Sequence, residues 1–281
     1  MEEDLIKEAV YIENGIIRKV GNKEEIFKFK DDDTKLVDLK GHILLPGFID
    51  GHSHLSATAY DLIMVNLKPS PSGNVNSIED MKRELKDSLL KRTLDKDEWL
   101  MGMGYDNTSF IGRQEITKFD LDEVSKEIPI VITHASGHVG VCNSIALEKL
   151  GYVGNYMVPE GGVVRTLPGT NEPSGLLEEN AFLDPKVKEK MGSFSIEKLM
   201  DSIIKAQELY ASFGFTTVQD GFTDNATYPL LKNAASNHLL FLDVVSYIGF
   251  PIIDKLEENE KAYQDHYRLG GMKMFLDGSP Q

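Results

Sequence analysis

One cysteine, Cys142, is all that the 281-residue chain contains. An internal disulfide is therefore excluded, as is a metal cage built from several thiolates of one chain, and a packed, inert thiol in a reducing compartment is the expectation. Positive charge is also scarce, with 30 Lys and Arg against 45 Asp and Glu and a formal net charge of -15. Such a balance repels phosphate backbones and anionic lipid heads, so neither nucleic acid nor a membrane is an expected partner. No apolar run reaches the roughly 18 residues that a spanning helix needs; even His238 to Ile253 is broken by Asp243 and Pro251. The opening MEEDLIKEAV lacks a basic and apolar leader pattern, and a cytoplasmic protein is expected. What remains is a globular composition, 41% hydrophobic and 27% charged, enough for one large α/β domain or two ordinary ones.

The text AVYIENGIIRKV reads as two strands around Asn14-Gly15, the strongest two-residue hairpin signal. Strand-like text returns from Leu36 to Leu45 before Pro46-Gly47 stops it. Ile78, Met81, Leu85 and Leu89 recur at helical spacing behind Ser77, a residue suited to capping. Glu98 to Tyr105 and Ile128 to Thr133 read as strands, whereas five glycines between Gly151 and Glu172 predict an ordered loop. An apolar stripe from Ile196 to Phe213 ends at Gly214 and hands over to the strand Phe215 to Gln219, itself closed by Asp220-Gly221. Leu239 to Ile248 and Met272 to Leu276 are further strand candidates. The alternation of helix and strand after residue 195 predicts βα units and a parallel sheet, with about 66–194 as a long insertion.

The chemistry concentrates in FIDGHSHL, Phe48 to Leu55, where every second residue is polar: Asp50, His52, His54. On a strand these three share one face, with neighbours roughly 6 to 7 Å apart, and two imidazoles so placed can reach one ion. Read by itself, His-x-His also fits two polar residues on a half-exposed strand. Asp50 can orient a ligand or serve a turn equally well.

LLPGFIDGHSHL resembles the first barrel strand of the amidohydrolase superfamily, and the likeness extends through almost the whole chain to its YtcJ-like branch. The segments that carry it are IENGIIRKVG, EWLMGMGYD, LDEVSKEIPIVITHASGHVGVCNSIAL, GGVV with PSGLLEENA, GFTTVQD and MKMFLDGS. The resemblance implies a metal-dependent hydrolase (β/α)8 TIM barrel, incomplete here, beside a small β-sandwich. Residues 1–46 would begin the sandwich and 47–281 the barrel, with Met272 to Leu276 as its fourth strand.

By the same resemblance His52 and His54 bind a divalent metal, zinc foremost, as one or two ions. Lys273, carboxylated, or Glu179 from GLLEENA would complete or bridge the site. His138 from ASGHVGVCNS would contact substrate or polarise its carbonyl, with Asn143 nearby. The implied reaction is hydrolysis of an amide-type carbon–nitrogen bond of a small molecule by metal-activated water. Further ligands, expected from later barrel strands, are absent from the sequence, so the chain is expected to be inactive alone. A homodimer stays open, as do a noncatalytic scaffold on the same fold and a ring deaminase.

Overall fold

A computed structural model describes residues 6–94, 97–110, 115–189, 191, 194–249 and 261–274. The chain divides into two compact units, Met1–Pro46 and Gly47–Gln281. In the first, β1 (Ala9–Glu13) and β2 (Ile16–Gly21) pair antiparallel around Asn14 and Gly15. Both turn residues have positive φ, 52° and 74°, as the hairpin's tight reversal requires. A five-residue helix, α1 (Lys23–Phe27), follows, with the Asn22 side chain accepting the Glu25 N–H at 2.9 Å. The strand expected over Leu36 to Leu45 does not form. Strand text needs a partner edge to complete its ladder, and Leu36, Val37, Ile43, Leu44 and Leu45 remain exposed.

The second unit opens with β3 (Phe48–Ile49) and α2 (Leu55–Ile63). Next come β4 (Val65–Asn66), α3 (Ile78–Lys91), β5 (Leu100–Tyr105), α4 (Lys118–Asp122), β6 (Ile130–His134) and β7 (Val139–Cys142). They are followed by α5 (Ser144–Leu150), β8 (Gly162–Thr166), β9 (Pro173–Glu179), α6 (Asn180–Leu183) and α7 (Pro185–Lys188). The chain continues with α8 (Ile196–Ser212), β10 (Phe215–Thr223), α9 (Thr227–Ser236), β11 (Asp243–Gly249) and β12 (Tyr267–Lys273). The loop expected between Gly151 and Glu172 contains β8, because β9 offers it an antiparallel edge. Residues 275 and 276, at the end of the expected last strand, lie outside the described residues.

Two sheets result. One is wholly parallel, in the order β12-β11-β10-β3, an α/β half-barrel. Its outer face packs Val218, Val244 and Ile248 against Leu55 and Ala59 of α2, Ile203 and Ala206 of α8, and Leu231 and Ala234 of α9. Gly214, at φ 85°, lets the chain reverse from α8 straight into β10. The other sheet, β4-β5-β6-β7-β9-β8, is parallel through β6 and antiparallel beyond it. Helices cover both its faces: Ile130 and Ile132 pack with Met81, Leu85 and Leu121, while Val131 and Cys142 pack with Leu147 and Phe182. Alternate residues of one strand thus enter two separate cores, each full burial of a Leu or Ile contributing roughly 1.5–3 kcal/mol.

Candidate metal centre

In a parallel sheet all strands end on one side, and the loops that leave their carboxyl ends are where this architecture builds its sites. Asp50 follows β3 directly and is 6% exposed. Its Oδ1 accepts the His52 N–H at 3.1 Å, and its Oδ2 accepts the Gln219 N–H at 3.0 Å and the Ser53 hydroxyl. Gln219 returns the contact, donating from Nε2 to the carbonyls of Asp50 and Gly51 at 3.1 and 3.2 Å. Capture of two following groups bends the chain at once, so the strand expected to run to Leu55 stops at Ile49. The three polar residues are therefore gathered by a turn, and Asp50 holds that turn.

The turn nevertheless brings the two imidazoles together. His52 and His54 stand with ring centroids 5.2 Å apart and planes at 80°. Nitrogens of two ligands on one tetrahedral zinc lie roughly 3.4 Å apart, a separation that two rings so placed can supply. Neither imidazole hydrogen-bonds another described residue. His52 lies against Gly221 of β10, where a Cβ would come within 2.6 Å of its Cε1, so the position has room only for glycine beside that ring.

Among the described residues no group of three His, Cys, Asp and Glu side chains gathers around a common point. The donors present fit a divalent ion as a two-imidazole partial set. Lys273 ends β12 in register with Gly249 of β11. Val244 and Ile248 face the helices, so by alternation Gly249 and its partner Lys273 face the interior side of the sheet. Lys273 thus shares the carboxyl edge with the histidines, three strand spacings or about 14 Å away along the sheet.

Glu179 and His138 lie on the other sheet. Glu179 closes β9, His138 precedes β7, and His138 Nδ1 meets Glu179 Oε2 at 3.1 Å, with a backbone bond from Glu179 N–H to His138 O at 3.0 Å. Glu178 is held by Arg165, at 3.1 and 3.0 Å. Asn143, named as a neighbour of His138, has a structural task instead. It is fully buried, its Oδ1 accepting the N–H groups of Ile130 and Ala146 at 3.0 Å and its Nδ2 donating to Ser125 O and Ile128 O at 2.9 Å.

His134 joins this second edge although no motif singled it out. Its Nδ1 accepts the Ser136 N–H at 3.0 Å, which leaves the proton on Nε2, 3.8 Å from Asp106 Oδ1. Asp106 is held below the usual carboxylate range, first by the Thr108 hydroxyl. Asp220 and Ser56 were likewise missed at the first edge, although the Asp-Gly pair that closes the β-branched run Phe215 to Gln219 marked the place. A cavity of about 480 Å³, lined by Leu89, Arg92, Ile128, Pro129, Ile145 and Lys149 among others, includes none of these site residues.

The chain is 27% identical to the protein named "Putative amidohydrolase YtcJ" of Bacillus subtilis (strain 168), over 99% of this chain and 52% of that protein. It is 30% identical to the N-substituted formamide deformylase of Arthrobacter pascens, over 96% of this chain and 51% of that protein. The crystal structure of an uncharacterized metal-dependent hydrolase from Pyrococcus furiosus superposes with a TM-score of 0.69 at 24% identity, covering 95% of this chain and 52% of that one. The chain spans about half the length of the curated relatives it matches. No helix among the described residues is long and apolar enough to cross a membrane. Since the model of the Amidohydrolase family also matches residues 35–281, His52 and His54 sit in a chain that belongs to the amidohydrolase family.

Proposed function

We propose that His52 and His54 are two ligands of a divalent metal, zinc foremost, in a hydrolase that opens an amide-type carbon–nitrogen bond of a small molecule with metal-activated water. The observation that carries this reading is the pair of imidazoles at 5.2 Å, without other polar partners among the described residues, on the carboxyl edge of a parallel sheet. A divalent ion, when bound, polarises a carbonyl oxygen and brings the pKa of water down to about 7.

The chain's own residues supply placement. Asp50 and Gln219 fix the turn that presents His52. Gly221 leaves space for its ring. Lys273, on the interior side of the same edge, becomes an oxygen donor when carboxylated, and protonated it would repel a cation; the carboxylated form is the one proposed. His138, steadied by Glu179, is proposed to meet the substrate's carbonyl side. Residues 1–46 are proposed as the start of a small β-sandwich and 47–281 as the first part of a TIM barrel.

The relative named as an N-substituted formamide deformylase supports an amide-type substrate. The test is amine release from a panel of N-substituted formamides and simple amides by a protein extended over the length that its relatives span, since the 281 residues are expected to be inactive alone. Release that requires added zinc and disappears in His52→Ala supports the reading; release that survives in His52→Ala contradicts it.

A further inference from the structure

We infer that Asp220, on β10, is a positioning residue that takes over the helix-capping duty of His54 and so leaves the imidazole of His54 available as a ligand. The inference rests on the metal reading above and deepens it. His54 occupies the N-cap position of α2, with φ -135° and ψ 87°, but its side chain makes no capping bond. An N-cap side chain ordinarily accepts an N–H from the first turn, and Ser, Thr, Asp and Asn lead there. A histidine that capped its own helix would commit a ring nitrogen to the backbone.

Here the cap comes from 164 residues away. Asp220 Oδ1 accepts the Ser56 N–H at 3.0 Å and the Ser56 hydroxyl at 2.6 Å. Asp220 Oδ2 accepts the Thr223 hydroxyl at 2.5 Å, so both oxygens are engaged, and the residue is fully buried. Its backbone forms an isolated antiparallel bridge with His54, and the next N–H, Gly221, donates to Ser53 O at 2.8 Å. One short stretch of β10 thus clamps both sides of His54 by main chain and caps its helix by side chain. A carboxylate also complements the positive end of α2. None of these bonds uses the ring of His54.

The experiment compares Asp220→Ala, Asp220→Asn and, as a control for loss of core packing on α9, Leu231→Ala. Two readouts are taken on the 281-residue chain: amide hydrogen exchange at the first turn of α2, and zinc affinity by competition with a chromogenic chelator. Asp220→Ala is expected to lose protection at Ser56 and to weaken zinc binding by about 10- to 100-fold, the scale for partners that orient ligands. Asparagine and aspartate cap about equally well, so Asp220→Asn should restore both to within about threefold. Leu231→Ala should leave both near wild type.

Unchanged protection at Ser56 in Asp220→Ala would overturn the inference, as would equal damage from Leu231→Ala or no rescue by asparagine. If the exchange pattern holds while the wild-type chain takes up no zinc, the capping role of Asp220 stands and the metal reading falls.

Discussion

Two sheet edges in this chain each collect histidines and carboxylates, and they treat them oppositely. At the carboxyl edge of the half-barrel, Asp50 and Asp220 direct their oxygens at backbone N–H groups and hydroxyls, and among the described residues the rings of His52 and His54 meet each other and no polar partner. At the edge where β5, β6 and β9 end and β7 begins, His138 is bonded to Glu179, and His134 to Ser136. The residue types are the same, but the bonding is inverted. An imidazole committed to a carboxylate is oriented, whereas one whose neighbouring carboxylates are spent on the main chain keeps a nitrogen for a cation.

The largest way to break this contrast is to remove a carboxylate that serves the main chain. Asp50→Ala would leave the His52 N–H and the Gln219 N–H short of an acceptor and the Ser53 hydroxyl with only the Gln219 carbonyl, for an expected loss of about 2–4 kcal/mol in urea unfolding. A loss below 0.5 kcal/mol, on the order of a neutral surface change, would refute the holding role. The matched change at the other edge should be much milder. His138 and Glu179 are both about half exposed, so Glu179→Gln should cost less than about 1 kcal/mol. A cost equal to that of Asp50→Ala would erase the distinction.

The pH dependence of the second edge sharpens it further. Asp106 has a depressed pKa, owed first to the Thr108 hydroxyl and in smaller part to the Thr108 N–H and His134. A carboxyl lowered in the folded state adds stability above its unfolded pKa of about 3.9 and loses it as pH falls through the folded value. Wild type should thus exceed Asp106→Asn by less than about 1 kcal/mol at pH 6, and the gap should close on acidification. A gap that widens below pH 4 would reverse the sign argued here. Smallest of all is the expected reactivity of Cys142 on β7, where burial pushes the thiol up to about 12. A thiol reagent at pH 8 should modify it only after unfolding, and rapid labelling of the native chain would show that the core behind His138 opens.

Much of this was written locally in the sequence. The hairpin at Asn14-Gly15, the α3 periodicity behind Ser77 and the α8 stripe ending at Gly214 depend on neighbours a few residues apart, and the structure keeps them within two or three residues. The His-x-His pair and the family likeness were legible for the same reason. Less legible was whatever needed a distant partner. Asp50 turns the expected strand into a bend partly through Gln219, 169 residues on, and Asp220 caps a helix 164 residues behind it. β8 forms in glycine-rich text because β9 offers an edge, while the strand-like Leu36 to Leu45 has none and stays irregular. Spacing alone identified the two histidines, but not the carboxylates that bond the main chain around them.

The most direct test of the account is zinc stoichiometry, by elemental analysis, in the wild-type chain, in His52→Ala/His54→Ala and in His138→Ala/Glu179→Gln. The account predicts zinc in the wild type, its loss from the first variant and its retention in the second. Zinc that survives removal of His52 and His54, or departs with His138 and Glu179, would contradict the assignment of the metal to the half-barrel edge.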